Sequence, residues 1–215
     1  MLKIKQEQKD ARTLSKSASA APGRDLRQDI LDTALVLLNE RGAAALSMRE
    51  VARRAVVTHQ APYHHFGDRE SILAELVKQG FDELARRLSF ANDLALSAGK
   101  RAALLASGEA YVRFALSHPG VFQIMFRPDV CEPMRFPELQ QAGARAYAEL
   151  ERLVQIIHGE QISTELASIY WAHVHGLACL MIDGPLAQQF QTDKARLEYF
   201  REVGEKFADI MMPSG

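Results

Sequence analysis

Apolar residues recur at helical spacing along most of the chain. Leu26, Ile30, Leu31, Ala34, Leu35 and Leu38 lie three and four apart, which predicts an amphipathic helix. Gly42 stands where such a helix places its C′ residue. Ser47-Met48-Arg49-Glu50 reads as a capping box, with Met48, Val51, Ala52 and Ala55 as the apolar stripe behind it. This second helix is short, because the pattern stops at Ala55. Val56-Val57-Thr58 reads as a tight connection, and Thr58 is expected to cap a third short helix through about Phe66. Pro62 falls in that helix's first turn, where a missing N–H costs least. Gly67-Asp68 breaks the chain again. Asp68 can cap a fourth helix at about 69–91, whose stripe is Ile72, Leu73, Leu76, Val77, Phe81, Leu84 and Leu88.

Further helices are expected at about 100–117, 119–126, 137–158, 163–182 and 193–211. Pro119 opens the second of these, Thr192 caps the last, and Gly184-Pro185 ends the one before it. Pro128, Pro133 and Pro137 cluster in a loop. No period-2 strand with turn residues on both sides appears, and no internal repeat. The predicted fold class is all-α, with about nine helices. Three segments follow: a mobile basic arm at 1–23 ending in Ala21-Pro22-Gly23, a helix-turn-helix unit at 24–70, and a larger helical unit at 71–215.

Composition narrows the class. Hydrophobic residues are 47% and charged residues 25%, which excludes a mostly disordered or collagen-like chain. Two cysteines, Cys131 and Cys179, are too few for a disulfide scaffold. Apolar runs such as Leu177 to Ile182 fall short of the ~18–20 residues of a membrane span. With no signal-like start, a cytoplasmic protein is expected. Net charge is −1, but it is unevenly spread. Residues 1–80 carry 13 basic and 10 acidic side chains, and six of the basic ones lie in the first 24 residues. A polyanion partner at the N-terminal end fits this asymmetry, and so does a solvated tail.

Two short helices joined by a tight turn, behind a longer supporting helix, describe a helix-turn-helix. Many helical proteins contain such corners. The residues on the second helix sharpen the reading: Thr58, His59, Gln60, Tyr63, His64 and His65 are polar or amphipathic, and no acid occurs between Val51 and Gly67. An acid-free helix can approach phosphates without repulsion. Gln60 suits bidentate pairing with adenine, while Tyr63 and His64 suit phosphate. Phe66 is expected in the core, against Leu35 and Val51, and His65 is divided between that role and the surface.

The stretch Ile30 to Leu73 resembles the DNA-binding domain of the tetracycline-repressor (TetR) family. The likeness is densest in Ser47-Met48-Arg49-Glu50-Val51-Ala52 and in Val57-Thr58-His59-Gln60-Ala61-Pro62-Tyr63-His64-His65-Phe66, and it continues through Asp68-Arg69-Glu70-Ser71-Ile72-Leu73. The C-terminal part resembles a subgroup of that family in Trp171-Ala172-His173-Val174-His175-Gly176-Leu177, preceded by Phe114 to Phe122 and by Met125-Phe126. The resemblance implies a homodimeric transcription regulator, a repressor released by a small ligand, binding a palindromic operator. Two departures matter. Val56 occupies a turn position that is usually glycine, so the turn must avoid positive φ or bear strain. Arg69 replaces the usual lysine and is expected to hold a phosphate.

The expected DNA-binding residues are Ser47, Arg49, Thr58, His59, Gln60, Tyr63, His64 and Arg69. Ser47 serves as a helix cap in either case. The expected effector-binding residues are Tyr111, Phe114, Phe122, Met125, Phe126, Tyr147, Trp171, His175 and Cys179, with Met134 beside them. Trp171, His175 and Cys179 are spaced i, i+4, i+8 and share a helix face. Any one of them could equally be plain core. The set implies a largely apolar ligand oriented by His175 or Tyr147. The helices at about 163–182 and 193–211 are expected to form the dimer interface, through Ile169, Leu180, Leu197, Phe200 and Phe207.

No metal or cofactor is expected: His173 and His175 point about 200° apart on a helix, and His175 with Cys179 lacks further ligands. No phosphate loop, nucleophile elbow or catalytic carboxylate pair marks an enzyme. Cys131, beside Glu132, is a poor thiolate and so a poor thiol sensor. The competing readings are a helical small-molecule binder without DNA binding, and a ligand-free structural partner protein.

Overall fold

The computed structural model describes residues 25–95, 97–159 and 163–212, and they are helical almost throughout. The basic arm expected at 1–23 lies outside the described residues. Ten α-helices are present among the described residues, together with 3-10 turns at Ala43–Ala45 and Pro133–Arg135.

Helix α1 (Leu26–Arg41) starts where the Asp25 carboxylate accepts the Arg27 N–H at 3.0 Å, and ends at Gly42, whose φ of 72° suits glycine. Helix α2 (Met48–Arg54) is capped by Ser47, whose hydroxyl oxygen accepts the Glu50 N–H at 3.2 Å. The Glu50 carboxylate turns instead to the Arg53 guanidinium, at 2.8 and 2.7 Å. Helix α3 (Ala61–Phe66) begins later than expected. A helix capped by Thr58 would need the Pro62 N–H to bond the Thr58 carbonyl, and proline has none. Ala61 N–H closes a tighter turn on that carbonyl at 3.0 Å, and the first α-type bond runs from His64 N–H to the Gln60 carbonyl. Thr58 therefore sits in the turn, and Gln60 takes the N-cap position.

Val56 adopts φ 56°, the single positive φ outside glycine among the described residues. A β-branched side chain there is strained by about 1–3 kcal/mol. The turn geometry is kept even though the usual glycine is not.

Helix α4 (Arg69–Ala95), capped by Asp68 through Ser71, spans 27 residues, or ~40 Å, and extends one turn past the expected end. Helices α5 (Lys100–Ser117), α6 (Pro119–Met125), α7 (Pro137–His158), α8 (Thr164–Ile182) and α10 (Asp193–Met211) follow the expected segments. Helix α9 (Pro185–Gln189) is the one not foreseen. Proline at its first position opens a helical turn there, so Gly184-Pro185 starts an element as well as ending α8.

Helices α4, α5 and α7 form the body of the larger bundle, and one contiguous core runs from α1 through α4 to α10. Helix α6 is the wedge. A Cβ on Gly120 would lie 2.6 Å from Asn39 Oδ1 and 3.0 Å from the α1 backbone, and a Cβ on Gly80 of α4 would lie 2.6 Å from Val121 Cγ1. The Gly120 N–H donates to Asn39 Oδ1 at 3.1 Å. Arg27 of α1 pairs with Glu75 of α4 at 3.0 Å, and Arg135 pairs with Glu70 and Asp68. No helix among the described residues is long and apolar enough to cross a membrane.

Two substitutions test these constraints by denaturant unfolding. Val56 is 90% exposed and packs on little, so Val56→Gly should raise stability by about 1 kcal/mol, relieved strain outweighing the entropy of glycine. Gly120→Ala should lower stability by about 1–3 kcal/mol, because the added methyl meets backbone that cannot move aside. An unchanged midpoint in either variant contradicts the corresponding constraint.

Candidate functional site

The corner formed by α2 and α3 presents one polar surface. Ser47, Arg49, Thr58, His59, Gln60, Tyr63, His64 and His65 are all exposed. Beneath them Val51, Ala52, Ala61, Pro62 and Phe66 are buried. His65 therefore belongs to the surface, and Phe66 to the core, where the Arg27 guanidinium stands 4.8 Å above its ring. The His59 and Tyr63 rings lie 5.7 Å apart and steady each other. The nearby cations Arg53 and Arg54 are held by Glu50 and Glu40, whose carboxyls are thereby kept below the usual carboxylate range. No ion pair engages Arg49 among the described residues.

Arg69 departs from its expected role. Its Nε donates to the Leu46 carbonyl at 2.7 Å, and a terminal nitrogen donates to the Ala43 carbonyl at 2.6 Å. The guanidinium closes the turn between α1 and α2. It is a positioning residue for the corner before it is anything else.

The larger bundle holds an apolar cavity of about 220 Å³. Tyr111, Phe126, Tyr147 and Trp171 line it, as the sequence suggested. Sequence reasoning missed the others: Phe81 and Leu88 from α4, Leu104 and Ser107 from α5, Tyr170 and His173 from α8, and Phe200 and Phe207 from α10. Tyr170 and His173 are three apart and flank Trp171. That spacing was a usable signal, but it competed with the i, i+4 stripe of His175 and Cys179.

Several expected lining residues lie elsewhere. Phe114 is fully buried core, with His118 stacked on it at 5.0 Å and the Arg87 guanidinium 5.7 Å from its ring centre. Met125 packs under Gly80, and Met134 is exposed on the 3-10 turn. Phe122, His175 and Cys179 line a second, more polar depression. Its far side is formed by Arg41, Ala43 and Arg69, so it lies between the helix-turn-helix corner and the larger bundle. Phe126 borders both spaces.

The wall between the two spaces is a polar relay. Tyr111 hydroxyl and His175 Nδ1 are 2.9 Å apart, and His175 Nε2 lies 3.5 Å from Cys179 Sγ. Burial lowers the His175 pKa and raises those of Cys179 and Tyr111, so all three are held neutral. His175 is fully engaged in the wall, which removes it from the expected ligand-orienting role. Cys131 is buried too, and burial followed by the Asp68 charge pushes its thiol up. His173 turns the other way and stacks on Phe207, with ring centres 3.8 Å apart. The two histidines share no ligand point. Among the described residues, no group of three or more His, Cys, Asp or Glu could hold a metal ion.

Phe200 and Leu197 correct the expected dimer surface. Phe200 is 3% exposed, because its ring fills the space over Gly108, where a Cβ would lie 2.8 Å from its Cζ. It is cavity wall, and Leu197 is buried beside it. Ile169 and Leu180 remain exposed on α8. Ala172 is exposed between them, and a Cβ on Gly176 would meet only open space.

Comparison with known proteins agrees with this architecture. Residues 30–76 match the profile of bacterial regulatory proteins of the tetR family, and residues 104–202 match that of the tetracyclin repressor-like C-terminal domain. The HTH-type transcriptional repressor KstR2 of Rhodococcus jostii (strain RHA1) is 36% identical over 58 residues. Those residues are 27% of this chain and only 28% of that relative's length. A protein of unknown function from Rhodococcus sp. RHA1 superposes with TM-score 0.68 at 27% identity, over 88% of this chain and 96% of the other. A bacterial regulatory protein of the tetR family from Rhodococcus RHA1 shares the fold, with TM-score 0.67 at 14% identity, over 84% and 95% of the two chains. The two profiles cover more than half of the sequence, one on the helix-turn-helix corner and one on the bundle that holds the cavity, and the chain belongs to the tetR family of bacterial regulatory proteins.

Proposed function

We propose that this protein is a dimeric transcriptional repressor that binds a palindromic operator and is released by a small, largely apolar effector. The observation that carries the reading is the exposed, acid-free stretch from Thr58 to His65, tied through α1 and α6 to an apolar cavity in the larger bundle. A small-molecule binder without DNA binding would use the cavity and have no use for that face. One relative that matches part of this chain is a repressor by name.

In this reading residues 24–70 form the DNA-binding unit and residues 71–215 the sensing and dimerising unit, with α4 reaching into both. Thr58, His59, Gln60 and Tyr63 meet the major groove from the turn and the first turn of α3. His64, Arg49 and the Ser47 hydroxyl meet phosphate. Arg69 holds the α1–α2 turn that sets the pitch of this face. The stretch Trp171 to Leu177, which resembles a subgroup of the family, supplies cavity lining, relay and dimer surface in two helical turns.

The dimer face we assign to Ile169, Ala172, Gly176 and Leu180, which follow one stripe of α8, together with Ile210, 74% exposed on α10. Small residues between two aliphatic ones let a second α8 approach closely. A two-fold dimer then presents two readers to half-sites ~34–36 Å apart.

Effector coupling runs through α6. Phe126, at the end of α6, borders the cavity, while Gly120, near its start, touches the α1 backbone. A ligand that pushes Phe126 moves α6, and α6 has no slack against α1. An effector shifts operator binding only as far as it prefers the displaced arrangement.

A gel-shift with DNA from upstream of the protein's own gene tests the reading face. Binding should weaken steeply between low and moderate salt, as counterions are released. Gln60→Ala and Tyr63→Ala should each cost at least tenfold in affinity, with helicity unchanged. Full affinity in both variants rejects α3 as the reader. Sedimentation tests the dimer: Leu180→Arg should give monomers, and a persisting dimer would move the interface off α8.

A further inference from the structure

We propose that the depression between the helix-turn-helix corner and the larger bundle is a ligand site of its own, one that takes a monocarboxylate with an apolar body. The carboxylate pairs with the guanidiniums of Arg41 and Arg69, and the body lies against Phe126, Val130 and Ile182. The site is separate from the apolar cavity, and it stands whether or not the protein represses transcription.

The charges around the depression are unequal in number and unequally satisfied. Three arginines and two aspartates line it, with no lysine or glutamate, so one positive charge is in excess. Arg127 holds Asp129 at 2.6 Å, and the Gln123 amide donates to Asp183 at 3.1 Å. The cations on the corner side are less well matched. The one ion pair of Arg41 among the described residues is with Glu50, at 3.8 Å. Both Glu50 oxygens are already engaged by Arg53, at 2.7 and 2.8 Å. The Arg41 side chain is 58% exposed, so its guanidinium can be reached. Arg69 gives two of its five N–H groups to the Ala43 and Leu46 carbonyls, and no carboxylate pairs with it among the described residues. Guanidinium forks with spare donors match the two oxygens of a carboxylate.

The neutral side chains leave this balance unchanged. Burial, then the Asp183 charge, raises the Cys179 pKa and keeps it a thiol, and burial lowers the His175 pKa and keeps the imidazole uncharged. A single excess charge therefore suits a monoanion. A phosphate monoester would bring a second negative charge with no partner.

The rest of the lining is apolar and within reach. Phe126, Val130, Cys179 and Ile182 are each half-buried, so they still offer surface to a guest, whereas Phe122 and Ile124 are almost wholly covered and form the floor. Apolar walls with a few converging polar groups are the usual make-up of a small-molecule site. A guest held in this way touches the turn after α1 on one side and α6 and α8 on the other, where the corner meets the bundle. Phe126 is shared with the cavity, so guests in the two spaces would meet at one ring.

The test uses octanoate, 1-octanol and acetate, with affinities read by calorimetry on the full chain without DNA. Octanoate should bind the unaltered protein. Acetate, which has the charge and no body, should bind at least tenfold more weakly. Arg41→Gln should lower octanoate affinity by about tenfold and leave that of 1-octanol within about twofold. Gln123→Glu places a new negative charge beside Asp183 on an exposed side chain, and should lower octanoate affinity by about threefold with 1-octanol again unaffected. Octanoate affinity unchanged in both variants overturns the proposal, because the acid then binds elsewhere, as it would in the cavity. Equal losses for octanoate and 1-octanol, acetate binding as tight as octanoate, or no octanoate binding to the unaltered protein overturn it as well. Operator DNA takes no part in the readout, so these failures leave the repressor reading standing.

Discussion

The structure depends on a close approach of backbone to backbone at Gly120. Helix α6 lies so near α1 that a methyl group has no room there, and so near α4 that Gly80 must also lack a side chain. Side chains normally cushion such contacts and absorb small displacements by changing rotamer. Here that cushion is missing, and the Gly120 N–H is bonded directly to Asn39 at the end of α1. In the proposed coupling a displacement of α6 is passed to α1, because packed interiors move between discrete arrangements and do not deform continuously. Arg27–Glu75 ties α1 to α4, and Arg135–Glu70 ties the second 3-10 turn to the start of α4.

The corner that presents the polar face is built for rigidity, and its costs show it. Val56 accepts a positive φ with no glycine to relieve it, and Arg69 commits its guanidinium to two backbone carbonyls. Val56 shapes the turn between α2 and α3, and Arg69 holds the turn between α1 and α2. A loosely held turn would let α3 change its angle independently of α4, and no signal from the bundle could then reach it.

Polar groups inside the bundle follow a division of labour. Tyr111, His175 and Cys179 satisfy one another in the wall between the cavity and the depression beside the corner. Tyr170 is satisfied by His158 at the opposite end. His173 stacks on Phe207. The two histidines of the Trp171 to Leu177 stretch, two residues apart, thus do opposite things: one closes the wall and the other packs against α10. A helix turns about 200° over two residues, and that rotation alone separates the roles.

Local patterning determined the helices of this protein. The spacing of Leu26 to Leu38, the Ser47 and Asp68 caps and the prolines at 62 and 119 act within a turn or two of chain, so they can be read from sequence. The acid-free face at Thr58 to His65 was legible for the same reason, since its residues lie on one continuous segment. Misplacing the start of α3 was a local error, one that the missing N–H of Pro62 could have corrected. Tertiary structure alone decided the rest. Whether Phe200 faces a partner or the interior depends on Gly108, some ninety residues away, leaving a hollow for its ring. Whether Arg69 meets phosphate or the Ala43 and Leu46 carbonyls depends on where α4 crosses the end of α1. Helical periodicity says which residues share a face, but not which element covers that face. Sorting core from cavity among Phe114, Phe122, Tyr170 and His173 required the packed bundle, because a cavity is the space that several helices fail to fill together.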